Sequence, residues 1–133
     1  MAAIQHEFIV ARPIGDVWSA VSDVGAVHRR LAEGFVTDTT LDEDCRIVTF
    51  ANGAIVRERI VTIDHDAHRV VYSVLGEHVI HHQGVMQLFA QADDCTKLLW
   101  VVDFLPEAWR ATLAPMMEIG ARAMQGTLSR SGV

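Results

Sequence analysis

Three of the chain's seven histidines fall within five positions of the stretch GEHVIHHQGV, residues 76–85: His78, His81 and His82. Imidazoles so placed act as metal ligands, as proton carriers near neutral pH, or as hydrogen-bonding members of a strand. If residues 78–90 form a strand, successive side chains point to opposite faces. His81 and His82 then cannot ligate one metal, and His78 shares a face with His82 but lies about two residue pairs away. No HxH or HExxH spacing accompanies them. The run predicts no metal site and a single inward histidine. Gln83, Gln87 and Gln91 share a parity that suits solvent, which leaves His82, Met86 and Leu88 on the inner face.

A second candidate is Glu58 in VRERI, a carboxylate whose parity sets it between Val56 and Ile60 on one face. A buried glutamate needs a partner or a shifted pKa. Arg46 is the expected partner, because a three-residue hairpin loop between their strands brings the two onto one face. The competing reading is an exposed glutamate paired with Arg46 or Arg57. Tyr72 and Trp100 are large aromatics with a polar handle, suited to a cavity wall or to plain core packing. Trp18, Phe50, Phe104, Trp109, Met116, Met117 and Met124 read as apolar lining or core, and His28 as a surface histidine, with the cavity mouth as the alternative.

These side chains need elements to position them. Residues 3–11 alternate loosely and read as a first strand, broken at Arg12-Pro13. Pro13 suits a first helical turn, and Ile14, Val17, Trp18 and Val21 follow at helical spacing. A second short helix is expected over 24–33, closed by Gly34. From Phe35 to Leu105 six β-rich runs alternate with turn signals, of which Asn52-Gly53 is the strongest hairpin mark. Short turns leave no room for parallel crossovers, so the strands form an antiparallel meander. After Pro106 a long helix carries Trp109, Leu113, Met116, Met117, Gly120, Met124 and Leu128 on one side. The expectation is an α+β fold in which a seven-stranded antiparallel sheet wraps its concave face around that helix. Small residues and methionines on the helix fill such a space incompletely, so a cavity between sheet and helix is expected.

The totals narrow the partners. At 133 residues the chain suits one domain, and 50% hydrophobic against 21% charged residues argues against disorder. With a net charge of −6 and no basic cluster beyond Arg29-Arg30, nucleic acid is not an expected partner. Cys45 and Cys95 stand 50 residues apart without CxxC spacing, which predicts free thiols and no zinc site built from cysteines. No apolar run approaches the ~18 residues of a membrane span. The first residues lack the basic leader and apolar core of a signal peptide. A cytoplasmic location is the resulting expectation.

The chain as a whole resembles the START-like, or SRPBCC, superfamily. The resemblance runs from residue 3 to 130 and rests on ARPIGDVWSAVSD, CRIVTFANG, VRERIVTIDHDAHRVVYSVLGEH and TKLLWVVDFLP. That group includes polyketide cyclases and dehydrases, lipid-transfer domains and the plant abscisic-acid receptors. The middle stretch is similar to the receptor branch, with Gly76-Glu77-His78 where the receptors carry a GG-E-H loop and Ala51-Asn52-Gly53 in place of a longer gate loop. The resemblance implies a single helix-grip domain over 1–133 and places the ERL-type Glu58 in the cavity. It favours the opposite parity for the histidine strand, with Gln83 and Val85 inside, which a bulge at Gly84 would reconcile with the polarity pattern.

The expected function is binding of a small hydrophobic molecule, with Arg46, Glu58, Tyr72, His82, Met86, Trp100, Met116 and Met117 as its contacts and no cofactor. The alternatives are a cyclase/dehydrase-type enzyme in which His82 or Glu58 removes a proton alpha to a carbonyl while Tyr72 or Arg46 stabilises the enolate oxygen, and a structural domain with a filled core. Dimers occur in the superfamily, and the sequence leaves a homodimer open.

Overall fold

A computed structural model describes residues 2–130. Seven strands, β1 (Ala3–Val10), β2 (Val36–Asp42), β3 (Cys45–Phe50), β4 (Ile55–Asp64), β5 (Arg69–Leu75), β6 (His81–Ala92) and β7 (Cys95–Leu105), form one antiparallel sheet in the order β1-β7-β6-β5-β4-β3-β2. Helix α1 (Ile14–Val21) follows β1, and helix α2 (Arg110–Ser129) closes the described chain after a 3-10 turn over Glu107–Trp109.

The sheet curves around α2 because one residue in two is apolar on its inner face. On β7 the buried positions are Thr96, Leu98, Trp100, Val102 and Phe104, a strict period of two. The facing side of α2 buries Met117, Gly120, Ala121, Met124 and Leu128. Side chains of α2 also secure it to the edge strand β1, with Gln125 Nε2 donating to the Ile9 carbonyl at 3.0 Å and Arg110 Nη1 donating to the Ala3 carbonyl at 3.2 Å.

The Asn52-Gly53 turn forms as its residues require. Gly53 takes φ +90°, the Asn52 side chain accepts from Ala54 N, and Phe50 N donates to Ala54 O at 2.8 Å. The resulting three-residue loop sets Arg46 directly opposite Glu58.

Three expectations are corrected. The helix expected over 24–33 shrinks to one π-helical turn, Val27–Leu31, closed by Ala32 N to Val27 O. Tight turns at Asp23–Ala26 delay its start, and Gly25 packs so close to Leu41 that a β-carbon there would lie 2.9 Å from Leu41 Cδ1. His78 lies in the β5–β6 loop, outside any strand. The ladder is regular through Gly84, and the irregularity of β6 falls between Ala90 and Ala92. With no bulge at Gly84 the parity is decided in favour of polarity: Gly84, Met86 and Leu88 are buried, and the inward parity implied by the receptor branch does not hold.

Trp18 is core, but it is not cavity lining. Its indole Nε1 donates to His65 Nδ1 at 3.1 Å, and the rings of His65 and His68 meet it edge-on at 5.6 and 5.4 Å. The Asp64–His68 turn thereby docks α1 onto the end of the β4–β5 hairpin.

Candidate functional site

Between the concave sheet and α2 lies a cavity of about 320 Å³. It exists because the opposing surfaces are unequal. The sheet supplies small or medium side chains such as Val48, Val74 and Val102, and α2 reaches them with flexible Met116, Met117 and Met124. At Gly120 α2 approaches the wall closely, since a β-carbon there would lie 3.0 Å from Phe35 and 3.3 Å from Trp100. The mouth lies where the β3–β4 turn, the β5–β6 loop and the β7–α2 junction converge, marked by Ala54, Val79, Leu105 and Trp109.

A polar chain crosses the inner face of the sheet through this apolar space. On β3 and β4, Arg46 Nε donates to Glu58 Oε1 at 2.7 Å, with only 3% and 7% of the two residues exposed. Arg46 also donates through Nη1 to the Val24 carbonyl at 3.4 Å. An ion pair this deep survives only because each charge meets the other at contact distance. The second oxygen of Glu58 has no hydrogen-bond partner among the described residues.

From β5, the Tyr72 ring lies under the Arg46 guanidinium at 5.1 Å. Its hydroxyl accepts from Trp100 Nε1, on β7, at 3.0 Å. Strand β6 runs between them, and the contact is made across Gly84, the direct partner of Tyr72. A β-carbon on Gly84 would lie 2.1 Å from Tyr72 Cζ, so glycine alone leaves room for the ring. The Tyr72 pKa is driven strongly upward, by burial first and the Glu58 charge second, so the phenol is protonated at any physiological pH. That proton has no acceptor among the described residues, because Trp100 is the donor in the Tyr72–Trp100 bond.

His82 stands nearer the mouth, opposite Phe104 and half-buried, and His81 beside it is exposed. Burial, and then the neighbouring His81, lowers the His82 pKa below its ordinary value, so the imidazole is neutral at pH 7.

The structure places all eight sequence-selected residues, Arg46, Glu58, Tyr72, His82, Met86, Trp100, Met116 and Met117, on the cavity wall. The reading of Glu58 as an exposed surface group is corrected by its burial. The reading of His28 as a surface histidine is corrected too. It is half-buried beside β2, its Nδ1 is enclosed without a partner among the described residues, and it does not line the cavity. Sequence reasoning weighed Gly84 only as the place of a bulge and Gly120 only as a member of the helix's inner side, and gave Phe35 no role at the cavity. An isolated glycine inside a strand pattern was the available signal for the first.

Among the described residues no group of three or more His, Cys, Asp or Glu side chains could hold a metal ion, and no helix is long and apolar enough to cross a membrane.

A seven-stranded antiparallel sheet gripping a C-terminal helix, with an open interior between them, defines the helix-grip class of the START/SRPBCC superfamily. The chain belongs to the family described as polyketide cyclase / dehydrase and lipid transport, whose model matches residues 1–131. Similar solved structures share its fold at low identity. An uncharacterised protein from Bacillus thuringiensis superposes with a TM-score of 0.85 at 15% identity, covering 97% of this chain and 100% of that one. A START superfamily protein from Mycobacterium smegmatis gives 0.75 at 14%, covering 96% and 97%. Truncated norcoclaurine synthase from Thalictrum flavum gives 0.73 at 19%, covering 96% and 90%. No curated protein matches the chain.

Proposed function

We propose that the protein binds a small hydrophobic molecule in the cavity between the sheet and α2, and orients it through one polar group. The carrying observation is the Tyr72 hydroxyl, which is buried, protonated and accepts from Trp100, yet has no acceptor for its own proton among the described residues. A buried donor without a partner carries a desolvation cost, and a ligand carbonyl or hydroxyl oxygen would remove it. The unpartnered oxygen of Glu58 offers an acceptor beside it. The remaining wall is mostly aliphatic, aromatic and methionine side chains, the composition of a site that takes apolar bodies.

The cyclase/dehydrase reading has one observation in its favour. His82 is neutral at pH 7 and stands on the same cavity wall as the Tyr72 donor, the pairing needed to remove a proton alpha to a carbonyl and stabilise the resulting oxyanion. Glu58 suits the role less well, since Arg46 already occupies one of its oxygens.

The test is a calorimetric screen of small hydrophobic carbonyl compounds, flavonoids and hormone-like acids against wild type, Tyr72→Phe, Glu58→Ala and His82→Ala. Norcoclaurine synthase has been solved in complex with dopamine and hydroxybenzaldehyde, so an aromatic aldehyde is a reasonable first probe. Tyr72→Phe is expected to weaken a carbonyl ligand about tenfold, the worth of one hydrogen bond, and to leave the corresponding hydrocarbon unchanged. Absence of binding by every class would overturn the proposal. Turnover of a bound carbonyl compound that His82→Ala abolishes, with binding retained, would replace it by the enzyme reading.

A further inference from the structure

The β5–β6 ladder ends early. Its last pair is Ser73–Gln83, although β5 stays paired with β4 as far as Leu75 and β6 is paired with β7 from His81 onward. Between Val74-Leu75 and His81-His82 the sheet is therefore split, and the loop 76–80 bridges the two sides. Strands that part while each keeps its other neighbour leave the backbone groups facing each other across the split without a ladder partner.

A second cavity, of about 330 Å³, lies at this split. Arg59 and Ser73, which line it, are cross-strand partners. Each is one residue from an inner-face group, Glu58 and Tyr72 respectively, so both lie on the opposite face of the sheet. Val74, Val79, His81 and His82 line this cavity and the inner one alike. The two spaces lie on opposite faces of the sheet and share these four lining residues beside the split.

Their chemistry differs. The outer space is lined by a guanidinium, a serine hydroxyl and two imidazoles, and no carboxylate lines it among the described residues. The contact of Arg59 with Asp44 is a single approach of Nε at 3.4 Å between half-exposed side chains. The terminal nitrogens of Arg59 have no hydrogen-bond partner among the described residues. On a chain of net charge −6 this sets one arginine, with its terminal nitrogens turned to no protein acceptor among the described residues, beside an apolar cavity.

The geometry points to a head-group site: the split between β5 and β6 holds the carboxylate of an amphipathic monocarboxylic acid on Arg59 and His81, while its apolar body occupies the inner cavity. This inference rests on the ligand-binding reading above and adds the ligand's class and orientation. A planar guanidinium with free terminal nitrogens is the side chain best shaped for a carboxylate.

The experiment compares decanoate with decan-1-ol, which share a hydrocarbon chain and differ in the head group, by calorimetric titration of wild type, Arg59→Gln and Arg57→Gln. Arg57 lies on the same strand, pairs with Asp42 and lines neither cavity, so it controls for net charge. Wild type is expected to bind the acid at least about tenfold more tightly than the alcohol, the size of one charge-assisted hydrogen bond. Arg59→Gln should abolish that preference without weakening the alcohol, and Arg57→Gln should preserve it. Equal affinity of acid and alcohol for wild type would overturn the head-group site and leave the cavity reading standing. An equal loss in Arg57→Gln would reduce the effect to general charge and overturn it as well. If neither compound binds, the cavity reading fails and this inference fails with it.

Discussion

Tyr72 lies across Gly84. The two face each other in the β5–β6 ladder, and the ring covers the glycine so closely that a single added carbon would lie 2.1 Å from Tyr72 Cζ. This lets a side chain on β5 reach Trp100 on β7, two strands away, and it closes the polar chain Arg46–Glu58–Tyr72–Trp100 over the floor of the cavity.

Gly84→Ala is therefore expected to destabilise the protein by about 1–3 kcal/mol, since the ring must leave its place and Trp100 Nε1 loses its acceptor. Gly126→Ala is the contrasting change. Gly126 lies inside α2 with nothing within 4 Å of an added β-carbon, so alanine should stabilise by about 0.5–1 kcal/mol. Urea midpoints and tryptophan fluorescence of both variants check the pair. Equal small effects would show that the Tyr72–Gly84 contact relaxes without cost.

The Arg46–Glu58 pair should behave as a buried ion pair. Glu58→Ala alone leaves the guanidinium enclosed beside the Tyr72 ring and is expected to cost about 3–5 kcal/mol. Removing both charges, as Arg46→Met with Glu58→Leu, should cost far less than the sum of the single changes, because no charge is then left unpaired. A double-mutant cycle by chemical denaturation measures the coupling, and additive costs would contradict this account.

His82 makes stability depend on pH with a definite sign. Burial lowers its pKa in the folded state below the ordinary value of 6.5, so the unfolded chain takes up a proton there before the folded one does. Stability contributed by neutral His82 is full above about pH 6.5 and falls as pH drops from there towards the lowered folded pKa. Urea midpoints across pH 5–8 should show a weaker decline below pH 6.5 in His82→Gln than in wild type. An unchanged decline would assign the acid sensitivity to other groups.

Much of the fold was legible in the sequence, and so was part of the site. Period-two burial on β7, the Asn52-Gly53 hairpin and the helical spacing after Pro106 depend on residues within a few positions of each other, and local physics decides them. The same holds for the outward glutamines of β6, which oriented Met86 and Leu88 inward even though the receptor branch implied the reverse. The three-residue hairpin loop set Arg46 opposite Glu58, but that the pair is buried required knowing what covers it.

The rest was decided by tertiary structure. Nothing local tells that Tyr72 meets Trp100 across Gly84, because the contact joins β5 to β7 and depends on the lateral order and curvature of the sheet. Trp18 carries a helical core signature, yet its partners His65 and His68 lie nearly 50 residues further on, and only the docking of α1 brings them together. The cavity and the split beside it follow from how closely α2 approaches and from where two ladders part. Both are sums over many elements. Residue order determined which faces are apolar and which turns close; assembly in three dimensions determined where apolar surface is left unfilled and which polar groups face the space.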